Sequence, residues 1–216
     1  EPLDVGAWEQ AMRDVLDAQG RLLFWLNGPC HNPTGRSLSR ADRETLLSVL
    51  RDISYSGPVT LLLDLAYLDY ARDPQAVAEA LADYAAFGAE GQVLVAASLS
   101  LSKAFTLYGS RAGALVFPWC NDATLKAALV TSCRGTWSNC ARAPMSVLNR
   151  LVKDDAAQAA LAAEHAHWRQ VLTTRAEALD AALKAEGLAG APWDGGFFVT
   201  LPAAPDPVRV SEALQR

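Results

Sequence analysis

Lys103 ends a hydroxyl-rich stretch, Ser98-Leu99-Ser100-Leu101-Ser102-Lys103, directly after the apolar run Val93–Ala97. An amine beside buried sheet is poorly solvated, which favours its use as a nucleophile. Asp64 closes the most apolar run of the chain and is followed by Leu65, Ala66 and Tyr67. A carboxylate there faces a large desolvation cost unless it meets a cation. Asn32 lies in Cys30-His31-Asn32-Pro33-Thr34-Gly35, a turn whose asparagine can aim its amide at a ligand. Arg111, in Tyr108-Gly109-Ser110-Arg111-Ala112-Gly113, has the fork that grips an anion bidentately. Taken singly, each has an ordinary reading: a turn, a helix cap, a surface lysine, an exposed arginine.

The elements that must position these residues are legible as short apolar runs. Leu22–Leu26, Val59–Leu65, Val93–Ala97 and Ala114–Phe117 are continuous, as in strands buried on both faces. Amphipathic stretches lie between them. Ser39 caps a helix running to about Asp52, and Pro74 to Phe87 is an alanine-rich helix with Gly88 as its stop. The alternation predicts an α/β fold, a three-layer α/β/α arrangement around a mostly parallel sheet. Each of the four clusters follows a strand, where open α/β sheets place their ligands. Asp154 to about Glu186 reads as one helix, with Leu161, Trp168, Leu172, Leu179 and Leu183 at helical intervals. Some 30 residues would span about 45 Å, a length suited to a connector between domains. Gly195 to Leu201 reads as a strand opening a second unit. The expected division is 1–150, 151–187 as the long connecting helix, and 188–216 as the start of a small α+β domain.

Composition bounds the rest. With 216 residues, 51% hydrophobic, the chain can bury a sizeable core, and a net charge of −5 disfavours non-specific nucleic-acid binding. No apolar run approaches the roughly 20 residues of a membrane span, and no secretory signal is evident. Cys30, Cys120, Cys133 and Cys140 lack metal-ligand spacing and read as thiols of a reducing compartment, so the cytoplasm is expected. His165 and His167 fit a solvated helix face, whereas Trp25, Trp168 and Trp193 read as packing residues. Both chain ends look cut, as in an interior piece of a longer protein.

Together, an amine, a strand-end acid with a nearby tyrosine, an amide donor and an arginine meet the needs of pyridoxal phosphate. Its aldehyde needs a lysine, its pyridine nitrogen a carboxylate, its phenolic oxygen hydrogen-bond donors, and its phosphate hydroxyls and Arg. The ordered set Asn-Pro-Thr-Gly, Asp-x-Ala-Tyr, Ser-x-x-Lys and Arg-x-Gly resembles the class I/II aminotransferases, fold type I of the pyridoxal phosphate enzymes. The aspartate and aromatic aminotransferases are the nearest in pattern. The resemblance implies that Lys103 is the Schiff-base lysine and catalytic proton shuttle, and that Asp64 partners the pyridine nitrogen. It also implies that Asn32 and Tyr67 serve the phenolic oxygen, with Ser100 and Arg111 on the phosphate.

Arg134-Gly135-Thr136-Trp137-Ser138-Asn139 resembles the family segment whose arginine crosses a dimer interface to the substrate's distal carboxylate. Arg134 is therefore a substrate-binding candidate, and a homodimer is implied. Cys140-Ala141 departs from the two prolines typical of aspartate aminotransferases. The implied activity moves an amino group between an acidic or aromatic amino acid and a 2-oxo acid. The alternatives are a carbon–sulfur lyase or a cyclopropane-forming synthase on the same fold, or the cofactor-sensing domain of a transcription regulator. The family's early phosphate loop would precede Glu1 and its α-carboxylate arginine would follow Arg216. The 216-residue piece alone is therefore expected to show little or no transaminase activity.

Overall fold

The computed structural model describes residues 4–201 and 210–212. Four strands form its sheet in the order β1 (Leu22–Asn27), β2 (Val59–Asp64), β3 (Leu94–Ser100) and β4 (Gly113–Val116). The first three run parallel, and β4 returns antiparallel against β3. This is the α/β class with a mostly parallel sheet that the unbroken apolar runs imply.

Helices α1 (Val5–Gln19), α2 (Arg40–Ser54) and α3 (Pro74–Ala89) build the main core with the sheet. Alternation in the strands decides what that core contains. Leu22 and Leu26 of β1, with Leu61 and Leu63 of β2, are buried against Met12, Leu16, Leu50 and Ile53. Leu23 and Trp25, one residue out of phase, are 59% and 63% exposed on the opposite face. This alternation keeps Trp25 out of the core, one of the two packing places, core or interdomain, expected for it.

Caps fix the helix starts. Ser39 accepts the Asp42 N–H at 3.1 Å, and Asp73 accepts those of Gln75 and Ala76. Arg43, only 4% exposed, reaches across from α2 to Asp83 on α3 at 2.6 Å. Past β3 the chain forms a single turn, α4 (Leu101–Ala104), then α5 (Ala123–Thr136) and α6 (Arg142–Leu151). Helices α1, α4, α5 and α6 have no counterpart in the sequence reading.

The long helix exists as α7 (Asp155–Ala185), N-capped by Asp154 and followed by Gly187 in the left-handed region. His165 and Arg169 in its middle tie it to α4 and to the 3₁₀ turn Leu68–Tyr70. His165 is consequently buried, at 9% exposure, and its ring nitrogen Nε2 lies 2.6 Å from the Ala104 carbonyl, which can only accept. The solvated reading of His165 is thus overturned, while His167 is exposed. Trp168 is 46% exposed, outside the core, and donates to Glu164.

Residues 193–200 form no strand, contrary to the reading of Gly195–Leu201. Their backbone groups are spent elsewhere. Asp194 N–H donates to the Gly35 carbonyl at 2.8 Å, Gly196 N–H to the Tyr70 carbonyl at 2.9 Å, and Arg72 N–H to the Asp194 carbonyl at 2.8 Å. A Cβ on Gly35 would lie 2.4 Å from the Phe198 carbonyl oxygen and 2.6 Å from Trp193, and its φ of +69° also favours glycine. Trp193 therefore does pack, on the turn that follows β1. Among the described residues no helix is long and apolar enough to cross a membrane.

Candidate active site

The carboxyl ends of β1, β2 and β3 lie side by side because the register pairs Asn27 with Asp64 and Asp64 with Ser98. Parallel strands deliver their last residues to one edge, so three sequence-distant loops meet there. Asp64 is half-buried. One of its oxygens accepts from Asn27 Nδ2 at 2.9 Å and the other from the Ala66 N–H at 3.2 Å. Asn27 uses its remaining oxygen to accept the Asn32 N–H at 2.7 Å. It thereby ties the strand-end acid to the Asn-Pro-Thr-Gly turn.

From that turn Asn32 Nδ2 donates to the Tyr67 hydroxyl at 3.4 Å. Burial pushes the Tyr67 phenol above its ordinary pKa, and the Asn32 hydrogen bond draws it partly back. Tyr67 therefore keeps its proton near neutral pH. Lys103 Nζ stands 5.9 Å from the Tyr67 ring centroid and 4.5 Å from that of Tyr108. An unbroken run of contacts thus joins Asp64 to Lys103 through Asn27, Asn32 and Tyr67.

Lys103 belongs to α4, which Ser100 caps by accepting the Ser102 N–H at 3.2 Å. The backbone there is gripped from two sides. Tyr70 donates to the Lys103 carbonyl at 2.9 Å, and His165 donates to the carbonyl of Ala104. Arg111 sits exposed beside this turn, with φ +51°, donating to the Tyr108 carbonyl at 3.0 Å and to Ser102 Oγ at 3.5 Å. Asn32, Asp64, Tyr67, Ser100, Lys103 and Arg111 are therefore gathered at one sheet edge. Arg134 is placed differently: it ends α5 and donates to the Ser138 carbonyl at 2.8 Å and Asn139 Oδ1 at 3.0 Å within its own loop.

Among the described residues, neither Asp64 nor Lys103 takes part in an ion pair, and Asp64 meets neutral donors rather than a cation. A protonated ring nitrogen would complement the first and an aldehyde the second, so the residues present fit pyridoxal phosphate.

Sequence reasoning gave no role to Asn27, Tyr70 or Tyr108 and set His165 on a solvated face. Asn27 carried a faint signal, a polar residue ending an apolar strand. Phe197 and Phe198 were also unforeseen: both stack edge-on against Tyr67, at 5.6 and 5.8 Å, and so wall the site from the 193–200 segment.

The family model for aminotransferase class I and II matches residues 2–216, and the chain belongs to that family. It is 30% identical to an aspartate aminotransferase of Salmonella typhi over 169 residues, 77% of this chain and 39% of that protein. It is 36% identical to one of Pseudomonas aeruginosa over 104 residues, 48% of this chain and 24% of that protein. The chain thus spans about two fifths of the Salmonella relative's length.

Among solved structures, an aminotransferase from Anaerococcus prevotii superposes with a TM-score of 0.89 at 26% identity. The match covers 99% of this chain and 53% of that one. An aromatic-amino-acid aminotransferase from Burkholderia pseudomallei, covalently bound to pyridoxal phosphate, gives 0.61 at 28% identity over 77% and 41% of the two chains.

Proposed function

We propose that the chain forms the cofactor-binding part of a pyridoxal phosphate-dependent aminotransferase acting between an acidic or aromatic amino acid and a 2-oxo acid. The observation that supports this most is the run of contacts linking Asp64, Asn27, Asn32, Tyr67 and Lys103 at one sheet edge. When bound, the cofactor supplies an electron sink for the pair left behind as a substrate Cα–H bond breaks.

The side chains divide the remaining work. Lys103 would hold the cofactor at its aldehyde carbon and, as a free amine, would take the proton from substrate Cα at Nζ. Asp64 keeps a proton on the ring nitrogen, and its neutral neighbours leave its charge free for that task. Asn32 and Tyr67 donate to the phenolic oxygen, which the raised phenol of Tyr67 favours. Ser100 retains a hydroxyl proton for a phosphate oxygen, and Arg111 adds the countercharge.

Arg134, reaching a neighbouring subunit in a homodimer, receives the distal carboxylate of a dicarboxylic substrate. In the same reading, residues 1–150 form the cofactor domain, 151–187 the connector and 188–216 the start of a second unit. The free thiols fit residence in the cytoplasm.

Titration of the purified chain with pyridoxal phosphate, followed by the visible absorbance of the protein-bound imine, tests this reading. The band should form with the natural chain and be lost in Lys103→Ala at unchanged circular dichroism. An undiminished band in that variant would refute the assignment.

A further inference from the structure

Two of the four cysteines meet in space. Cys133 Sγ, in the last turn of α5, lies 3.8 Å from Cys140 Sγ. The chain between them folds back through Trp137 N–H to the Cys133 carbonyl at 2.9 Å and Asn139 N–H to the Trp137 carbonyl at 2.9 Å. Ser138, with φ +66°, makes the reversal. The same loop contains Arg134 and both acceptors of its guanidinium, Ser138 O and Asn139 Oδ1.

We propose that Cys133 and Cys140 form a peroxide-sensitive dithiol, whose closure to a disulfide locks the loop that holds Arg134. Bonding requires the sulfurs to approach from 3.8 Å to about 2.05 Å. Access favours this pair. Cys140 is exposed and Cys133 half-exposed, whereas Cys30 is 1% exposed and burial pushes its thiol up to about 12. Cys140 is the more exposed of the two, which assigns the first attack to it.

Cys140 sulfur attacks one peroxide oxygen and the O–O bond breaks, giving a sulfenic acid and a hydroxide that leaves as water after taking the thiol proton. Cys133 sulfur then attacks the sulfenic sulfur. The S–O bond breaks, the S–S bond forms, and a second water departs with the Cys133 proton. Two thiols are oxidised and one peroxide is reduced. A dithiol reductant reverses the bond by exchange. Its effect on substrate choice rests on the assignment of Arg134 to a distal carboxylate; the sulfur chemistry does not.

The test treats the reduced 216-residue chain with hydrogen peroxide and needs no cofactor. Free thiols should fall from four to two, the mass should drop by two hydrogens, and peptide mapping should link Cys133 to Cys140. Tryptic cleavage after Arg134 should slow several-fold and recover with dithiothreitol. Cys140→Ser and Cys133→Ser should each abolish the linkage. Linkage between chains, or oxidation of Cys120 with Cys133 and Cys140 still free, would overturn the dithiol. Disulfide formation with unchanged cleavage after Arg134 would overturn the locking of the loop. Neither result bears on whether Lys103 takes the cofactor.

Discussion

At the residue scale, the site depends on which polar groups are left unpaired by charge. Asp64 and Lys103 stand at the ends of adjacent strands, held by neutral hydrogen bonds and aromatic faces. Asn27 couples them to the turn, since its amide serves both Asp64 and the Asn32 backbone. Asn27→Ala should remove a hydrogen bond to a charged group, about 1.5 kcal/mol, and weaken pyridoxal phosphate binding about tenfold by equilibrium titration. Affinity equal to that of the natural chain would show that Asn27 plays no positioning part. Asn32, Asp64 and Lys103 were legible because each follows an apolar run. Asn27 was not, because its value lies in a cross-strand register that exists only once β1 and β2 pair. His165 was hidden for a related reason: its partner carbonyl is 61 residues away.

At the element scale, unbroken apolar runs identified the parallel strands, a capping serine identified α2, alanine-rich composition α3, and apolar residues at helical intervals α7. The 193–200 segment misled because its apolar pattern is strand-like, whereas its hydrogen bonds go to two turns. Helices α5 and α6 bury one side chain, Pro144, between them, although Asp122 caps α5 by accepting the Leu125 N–H at 2.7 Å. The α2–α3 pair is joined by Arg43 and Asp83, an ion pair with a deeply buried cation. Asp83→Ala would strand that guanidinium, and because Asp83 is partly open to water the cost falls at the low end, about 3 kcal/mol. Urea unfolding at neutral pH should show the loss. A change within about 0.5 kcal/mol, the range of ordinary surface substitutions, would mean that water replaces Asp83 freely.

At the scale of the whole molecule, buried neutral acids set the alkaline limit. Burial pushes Cys30 from 9.0 to about 12 and Tyr84 from 10.0 to about 12. In the unfolded chain these groups ionise first, so between their ordinary and raised values the folded state binds more protons. Stability is then full below about pH 9 and falls as pH rises toward 12. Thermal unfolding followed across that window should show the decline, with a shallower slope in Cys30→Ala. An unchanged slope in that variant would remove Cys30 from the account.

The sheet that generates this core also brings the carboxyl ends of β1, β2 and β3 to one edge, and its central consequence is chemical. Reduction of the chain with borohydride after adding pyridoxal phosphate, followed by peptide mapping, reads it directly. The label should reside on Lys103, and label on another lysine with Lys103 unmodified would contradict the assignment.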